Sequence, residues 1–271
     1  MGDWLANARL YALNAQAAGS WRTLFAAVGE RADIALEWVE HPAPRSLFEL
    51  WQRTDLGCAF VCGYPWVSWS GADRPVALAA PRPSNPRSEG RAVYWSDIVV
   101  RADAPFERLD DLFGRRMAWT VSDSQSGYQA LRTLLAERSC GRPLFSATVG
   151  PLVTPRRVVE AVLAGEADAG PLDSYWHDLL RRHEGALAAR LRVVARTPPT
   201  PMPLLACAGT MPADARERLI DALVEVSARD DLAALREHLQ IEGFARVDGA
   251  AYELLAQRAA QADRTGYTCL A

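Results

Sequence analysis

The chain contains no lysine, and all 30 residues in its lysine-plus-arginine count are arginine. Without lysine there is no Schiff-base nucleophile, no attachment point for pyridoxal phosphate and no P-loop lysine. Complete replacement of lysine by arginine is the pattern expected of a GC-rich genome. These three kinds of chemistry are excluded whatever the reason for the absence of lysine.

Cysteine and histidine are scarce as well. The five cysteines have neither C-x-x-C nor zinc-ribbon spacing, and Cys58 and Cys62 stand in an apolar run that predicts buried free thiols. The four histidines show no H-E-x-x-H spacing. His177 and His183 are expected on the solvent-facing side of a helix, beside arginines. We therefore predict no metal site and no cofactor.

Several functional motifs are also missing from the sequence. It has no G-x-S-x-G motif, no Walker A motif and no Rossmann glycine fingerprint, so an enzyme is not expected. No apolar run is long enough for a membrane span, and no signal peptide is recognised. A cytoplasmic location is expected if the printed N-terminus is native, and a periplasmic one if a leader was removed. The net charge of −3 gives no basic surface for nucleic acid.

Signals for strands and helices alternate along the 271 residues. Ser20, Ser46 and Thr154 are predicted to cap helices, because each precedes apolar residues at helical spacing. The predicted strands are residues 7–13, 34–39, 58–62, 117–120 and 167–172. This alternation predicts an α/β fold, with mostly parallel sheets and helices on both faces.

Two segments are predicted to be crossover strands between lobes. They are residues 94–101 and the proline-rich stretch 191–207, and they bracket a central unit. The prediction is a first lobe of residues 1–97 plus 200–271, with a second lobe of residues 98–199 inserted into it. Ligands of open α/β sheets bind beyond the carboxyl ends of the strands, so two such lobes predict a ligand cleft. The stretch 81–90 is expected to be a surface loop.

The strongest local binding signal is the run Ser-Asp-Ser-Gln-Ser-Gly at residues 122–127, after a predicted strand and at the start of a predicted helix. The unpaired N–H groups and the dipole at a helix N-terminus favour an anion, and Ser124 and Ser126 add hydroxyl donors. The alternative is a plain N-cap followed by turn residues. Both interpretations remain open at this point.

Two further candidate sites follow predicted strands. Tyr64 stands in the run Gly-Tyr-Pro-Trp at residues 63–66, where an aromatic side chain could line a ligand cleft or could be ordinary packing. Asp173 begins the run Asp-Ser-Tyr-Trp at residues 173–176. It could contact a ligand, or it could cap the following helix.

In combination, these motifs resemble the phosphonate-binding family of periplasmic solute receptors. The resemblance covers most of residues 55–205, and the family's fold is the two-lobed type II periplasmic-binding-protein fold. It rests on the runs at residues 62–65, 94–101, 111–116, 122–127 and 158–175. The last three correspond to a D-L-x-G-R turn, a strand ending at S-x-S-G, and a helix-to-strand turn ending in D-S-Y.

The resemblance implies the roles of seven residues. Tyr64 and Tyr94 would line the cleft. Ser124, Gln125 and Ser126 would hold the anion. Asp173 and Tyr175 would close the site from the opposite side. Gln125 departs from the family, which usually has threonine there, so an anionic head group is implied more firmly than phosphonate itself.

The predicted function is therefore a solute-binding protein that closes two lobes on a small anionic ligand for ABC-type uptake. The ligand would be phosphonate-, phosphate- or carboxylate-like, the implied partner is an ABC transporter permease, and the protein is expected to be a monomer. Two alternatives on the same fold stay open. One is a cytoplasmic enzyme such as a chorismate-dehydratase-like lyase, in which a carboxylate such as Asp173 would act as acid or base. The other is a sensor that passes closure to a partner protein.

Overall fold

The structure is a computed structural model that describes residues 4–271. The chain divides into two compact units. The first contains the residues up to Val93 together with Pro201–Ala251, and the second contains Tyr94–Thr200 together with Tyr252–Ala271. Each unit has its own sheet flanked by helices.

The strands of the described chain are short and are distributed over both units. They are β1 Trp4–Asn7, β2 Leu36–Trp38, β3 Leu56–Val61, β4 Val76–Pro83, β5 Val93–Tyr94, β6 Ser96–Arg101, β7 Arg116–Ala118, β8 Ala147–Val149, β9 Ala169–Asp173, β10 Leu191–Arg196, β11 Thr200–Pro201, β12 Leu204–Cys207 and β13 Ile241–Arg246.

The α-helices alternate with these strands. They are α1 Ala15–Ala32, α2 Leu47–Trp51, α3 Gly63–Val67, α4 Ala130–Ser139, α5 Pro155–Leu163, α6 Ser174–His183, α7 Gly185–Ala188, α8 Ala213–Glu225, α9 Ala233–His238 and α10 Gly249–Arg264. A π-helical turn, Gln125–Gln129, runs directly into α4, and the 3₁₀ turns are Pro86–Ser88, Leu109–Leu112, Val226–Ala228 and Asp230–Leu232.

The sheet of the first unit has the order β13-β4-β12-β3-β1-β2. β1 is parallel to both β2 and β3, whereas β12 is antiparallel to β3 and β4. Every residue of β3 is buried, as predicted for the apolar run that contains Cys58. A strand that is apolar throughout suits the middle of a sheet covered on both faces.

The sheet of the second unit has the order β10-β6-β9-β7-β8. β7 is parallel to β8 and β9, and β6 is antiparallel to β9 and β10. Both sheets are therefore mixed, with a larger antiparallel share than strand–helix alternation predicts. The reason is that β6, β10 and β12, which lie in the crossover segments, run against their neighbours, and that β13 is antiparallel to β4.

Two of the three predicted helix starts are confirmed. Ser46 accepts a hydrogen bond from the Phe48 N–H at 3.2 Å, and Thr154 accepts one from the Arg157 N–H at 3.3 Å. The prediction for Ser20 was wrong, because α1 already begins after Asn14 and Ser20 lies inside it. Asparagine caps a helix as well as serine does, and the alanine-rich start of α1 carries no apolar periodicity to reveal it.

Two further local predictions were wrong. Residues 8–13 form a turn, since the strand predicted at 7–13 ends at Asn7. The expected loop at 81–90 begins inside β4, where Pro81 and Pro83 pair with β13. The pairing of β4 with β12 stops at Ala79, so both prolines lie where only one neighbouring strand needs a hydrogen-bond donor.

The two units differ from the predicted lobes at the C-terminus. The prediction placed residues 200–271 in the first lobe, whereas Tyr252–Ala271 belongs to the second unit. Tyr267 and Leu270 are part of that unit's apolar core, and the carbonyl of Ala271 accepts hydrogen bonds from the N–H groups of Leu144 and Phe145. The chain also passes between the two units at two other points, which lie within the short strands β5 and β11.

Among residues 4–271, no helix combines the length and the apolar character needed to cross a bilayer.

Candidate functional site

The run at residues 122–127 forms the turn between β7 and the helix that contains α4. Ser124 is its N-cap, with an extended backbone, and its hydroxyl oxygen accepts a hydrogen bond from the Gly127 N–H at 3.0 Å. The capping role is therefore present. A hydroxyl that accepts through its oxygen still has a proton to donate, so capping and anion binding are compatible at this residue.

Ser126 occupies the first turn of the helix and is partly buried. Its carbonyl accepts a hydrogen bond from the Ser96 hydroxyl at 2.8 Å, which fixes the peptide. The hydroxyl of Ser126 itself makes no hydrogen bond with any residue in the described range 4–271. First-turn amides also lack partners within their own helix. Ser126 thus offers a fixed donor group at the positive end of a helix.

Gly127 allows the turn to pack closely against the strand that precedes it. A Cβ atom at this position would overlap the Thr120 hydroxyl oxygen and would lie 2.9 Å from its Cβ. The Thr120 N–H donates to the Gly127 carbonyl at 3.3 Å. Glycine is required here because no side chain fits between the turn and the strand.

A network of side chains holds the start of this helix in place. The Gln129 amide donates to the Ser122 carbonyl at 2.6 Å, and its oxygen accepts from Arg132 at 3.0 Å. Arg132 is only 3 % exposed and also binds the Asp263 carboxylate at 2.6 Å. The turn at residues 122–127 is therefore anchored to the C-terminal helix of the same unit.

One acidic side chain lies within the turn. Partial burial raises the pKa of the Asp123 carboxyl above its ordinary value. Removal from water disfavours the charged form of a carboxyl group. An anion bound at this turn would favour the neutral form further.

Asp173 ends β9 and caps α6. Its carboxylate accepts hydrogen bonds from the N–H groups of Tyr175 and Trp176, at 2.9 and 3.0 Å. Asp173 therefore caps the helix, and its contact with a ligand stays a prediction. Tyr175 is buried, and its pKa is raised well above the ordinary value, first by burial and then by the charges of Asp173 and Asp178. Tyr175 is therefore a neutral hydroxyl.

Ser96 connects the turn to Asp173. It is directly opposite Asp173 in the antiparallel pairing of β6 and β9, while its hydroxyl holds the Ser126 carbonyl. Ser124, Gln125, Ser126, Asp173 and Tyr175 thus lie at the ends of adjoining elements of one unit, and Gln125 is buried with 3 % exposure. Tyr94 ends β5 in the same unit and is buried.

Tyr64 belongs to the first unit. It lies in α3, directly after the buried strand β3, and it is partly exposed. β1 and β3 are parallel, so their carboxyl ends share one edge of the first unit's sheet. Tyr64 lies beyond that edge, as predicted from the sequence.

Arg9 was missed by the sequence analysis, although it lies beyond the same edge, after β1. The Asn7 carboxamide oxygen accepts from the Arg9 N–H at 2.8 Å, and the guanidinium of Arg9 donates to the Arg45 carbonyl. Partial burial lowers the pKa of Arg9, and no carboxylate within residues 4–271 pairs with it. Arg9 was missed because the strand predicted at residues 7–13 placed it within a strand, whereas β1 ends at Asn7.

A buried charge cluster was also missed. Asp97 on β6 is 2 % exposed, and its carboxylate accepts hydrogen bonds from His177 Nδ1 at 2.8 Å and Trp95 Nε1 at 3.0 Å. It also forms an ion pair with Arg196 Nε at 3.0 Å. The prediction that His177 faces solvent was wrong, because the ring is buried against Asp97. Helical spacing alone did not show that α6 packs this side onto the sheet.

The pKa of Asp97 reflects two opposing effects. Burial alone would raise it, but the hydrogen bond and charge of His177, with the charges of Arg196 and Arg181, outweigh burial and lower it. Asp97 is next to Ser96, which holds the turn carbonyl. The cluster therefore fixes the strand that supports the candidate site.

Comparison with known families identifies the chain. The sequence model described as "ABC transporter, phosphonate, periplasmic substrate-binding protein" matches residues 14–252. The chain belongs to this family. A comparison with curated protein sequences found no match.

Solved structures agree with the fold of this family. A binding-protein component of an ABC phosphonate transporter from Pseudomonas aeruginosa is similar with a TM-score of 0.79 and 15 % identity, over 97 % of this chain and 88 % of that one. PhnD1 from Prochlorococcus marinus in complex with methylphosphonate has a TM-score of 0.74 and 13 % identity, over 90 % and 92 %. A Candida albicans protein with the generic periplasmic binding protein fold has a TM-score of 0.66 and 10 % identity, over 98 % and 90 %. The chain has the periplasmic-binding-protein fold.

Part of the motif pattern on which the resemblance rested has a structural role. The guanidinium of Arg116 binds the Asp168 carboxylate through Nε at 3.1 Å and through a terminal nitrogen at 2.9 Å, and the Arg116 N–H donates to it at 2.8 Å. Hydrogen bonding to Arg116 lowers the pKa of Asp168. This pair joins the start of β7 to the turn before β9. It fixes the two strands whose carboxyl ends carry the candidate site.

Residues 4–271 contain no group of three or more histidine, cysteine, aspartate or glutamate side chains arranged to hold a metal ion. The candidate site residues of the second unit supply hydroxyl, amide, carboxyl and phenol groups. Such a set can bind and orient a small polar solute.

Proposed function

We propose that this protein is the solute-binding component of an ABC-type uptake system for a small phosphonate-like anion. The observation that carries the proposal is the helix N-terminus at residues 124–127. There Ser126 presents an uncommitted hydroxyl on a peptide fixed by Ser96. The geometry is suited to anion binding because donors, helix dipole and fixed backbone coincide.

The ligand's head group is proposed to be an oxyanion held by Ser124, Gln125 and Ser126. Gln125 supplies a longer amide where the family usually has threonine, so the space and the donors differ from those of the usual family site. Tyr64, Tyr94 and Tyr175 would contact the rest of the ligand, and Arg9 is proposed as a further anion-binding residue. Closure of the lobes on the ligand stays a prediction.

Asp173 would restrict the choice of ligand. A carboxylate near a bound anion is unfavourable unless the ligand brings a cation or a proton to it. We therefore propose that the ligand carries an ammonium group or a protonated acid oxygen as well as its anionic head. An aminoalkylphosphonate meets both requirements.

Transport is favoured over the lyase alternative because the family is one of transport receptors. The proposed partner is an ABC transporter permease, and the proposed location is the periplasm. The sensor alternative uses the same ligand site and differs only in the partner protein.

Substitution of the two serines tests the anion site. Ser126→Ala is expected to lower affinity for the ligand by roughly 10- to 150-fold with little change in stability, since a hydrogen bond to a charged group contributes about 1.5–3 kcal/mol. Ser124→Ala is expected to lower affinity too, and also to cost about 1 kcal/mol of stability through loss of the cap. Isothermal titration with 2-aminoethylphosphonate and urea denaturation measure both quantities.

Ser122→Ala is the matched control, because this serine is exposed and lies outside the helix. It should leave affinity and stability unchanged. If Ser126→Ala binds as tightly as the wild type, the turn is only structural and the proposed anion site is wrong.

Asp173→Asn tests the proposed selectivity. Asparagine keeps the size and the capping ability of aspartate but removes its charge. We expect affinity for 2-aminoethylphosphonate to fall by well over tenfold, and discrimination against methylphosphonate, which lacks the ammonium group, to relax. Competition titrations with the two compounds measure this ratio directly.

Asp178→Asn is the control for this variant, since it removes another carboxylate from α6, one that binds Arg181 at 2.7 Å. Its selectivity should match that of the wild type. Unchanged binding and selectivity in Asp173→Asn would leave this residue with its capping role alone.

A further inference from the structure

The second unit contains a cavity of about 240 Å³ beside the candidate anion site. Its walls are α4, the C-terminal half of α10 and the segment 197–200. The lining includes Gln125, Thr133, Leu134, Thr197, Arg258 and Thr265. The proposed function gives this cavity no role.

Arg258 is the unusual member of this lining. Its guanidinium is partly buried, and burial lowers its pKa. Within residues 4–271 it has no carboxylate partner, and its one hydrogen bond is a long contact of 3.5 Å with the Pro199 carbonyl. Arg132 and Arg156, two other buried or partly buried arginines of the same unit, each bind a carboxylate at 2.6 Å. Arg258 is thus a partly desolvated cation that lacks a counterion.

The rest of the cavity is amphipathic. Thr133, Thr197 and Thr265 bring hydroxyl groups, while Leu134 and neighbouring alanines form an apolar wall. Glu137 and Arg138 are exposed lining residues on the last turns of α4, and Arg138 is directed to its own helix at the Leu134 carbonyl and to Asp110. The lining therefore combines the available guanidinium of Arg258, the exposed carboxylate of Glu137, threonine hydroxyl groups and an apolar surface. The Thr265 hydroxyl already donates to the Ala262 carbonyl at 2.8 Å.

The volume limits the size of an occupant. At about 30 Å³ per water molecule in the liquid, the cavity has room for roughly eight water molecules. A planar organic acid the size of benzoate fits this space. An inorganic anion would leave the apolar wall without a contact.

We propose that this cavity is a second binding site, for a small organic monocarboxylate with a short apolar body. The guanidinium of Arg258 binds the carboxylate, and the wall at Leu134 contacts the apolar part. A planar guanidinium and a carboxylate match in two parallel hydrogen bonds. The site adjoins the serine turn, because Gln125 belongs to that turn, is buried and also lines the cavity.

Titration calorimetry with benzoate tests this proposal. We expect saturable binding of one benzoate per chain, and a loss of affinity of roughly 10- to 150-fold in Arg258→Gln, the range for losing a hydrogen bond to a charged group. Arg138→Gln is the matched control, because Arg138 lines the same cavity but is already engaged elsewhere. It should bind benzoate within about twofold of the wild type.

Two additional measurements separate this site from the proposed anion site. Ser126→Ala should bind benzoate normally, and excess methylphosphonate should not displace benzoate from the wild type. Thermal melting checks that Arg258→Gln is folded. The proposal is overturned if the wild type binds no benzoate at millimolar concentration, if Arg258→Gln binds it like the wild type, or if Ser126→Ala or methylphosphonate abolishes binding.

Discussion

Asp97→Asn is expected to destabilise the protein by roughly 3–5 kcal/mol, the usual effect of removing one partner from a buried ion pair. Asp97 accepts hydrogen bonds from His177 and Trp95 and forms an ion pair with Arg196, and its side chain is 3 % exposed. Asparagine keeps the shape but leaves buried donors without their anion. Urea denaturation followed by tryptophan fluorescence measures the loss.

The effect of this substitution depends on pH in a defined direction. The pKa of Asp97 is lower in the folded protein than in the unfolded chain, where it is about 3.9. The stabilisation from Asp97 is therefore fully present above pH about 4 and is lost as the pH falls through the folded-state pKa. The difference in stability between wild type and Asp97→Asn should be constant near neutral pH and should shrink in acid.

Asp103→Asn provides the control, because Asp103 also binds an arginine of β6, Arg101, but is fully exposed. Exposed pairs contribute little to stability. If Asp97→Asn and Asp103→Asn lost the same free energy of unfolding, the buried cluster would stabilise the protein no more than an exposed ion pair does.

Gly127→Ala is expected to cost about 1–3 kcal/mol, the range for overpacking a close-packed site. The added Cβ overlaps the Thr120 hydroxyl oxygen, so the turn must move away from β7. Movement of the turn displaces the Ser124 and Ser126 donors together. Ligand affinity should therefore fall by more than tenfold. A substitution elsewhere in the unit that lowers the free energy of unfolding by the same amount should change ligand affinity less.

Gly185→Ala is the matched control in the same unit, since a Cβ there meets no atom within 4 Å. It should keep both stability and affinity. Combining Gly127→Ala with Thr120→Ala removes the overlapping hydroxyl and should restore part of both. The close-packing account fails if Gly127→Ala alone binds ligand like the wild type.

The parts of the fold with regular patterns could be predicted from the sequence. The apolar run around Cys58 specified a buried strand, and Thr154 followed by Pro155 specified a helix start. Both signals are local, because a cap or an apolar run needs no distant partner. The candidate turn at residues 122–127 was also predictable, since serine and glycine between a strand and a helix leave few other conformations.

The features that depend on distant contacts could not be predicted. His177 looked like a solvated residue because its arginine neighbours hid the carboxylate of Asp97, 80 residues away in sequence. The place of the last 20 residues was hidden for the same reason. It is set by contacts of Tyr267 and Leu270 with a core built from residues 98–169.

The central claim is that the serine turn binds a small phosphonate-like anion without converting it. Isothermal titration of the wild type with 2-aminoethylphosphonate, methylphosphonate, phosphate and acetate, with the ligand recovered afterwards, tests it most directly. The account predicts saturable binding of one phosphonate per chain, tightest for 2-aminoethylphosphonate, with the ligand recovered unchanged. Absence of binding by every compound in the set, or chemical conversion of the bound one, would contradict it.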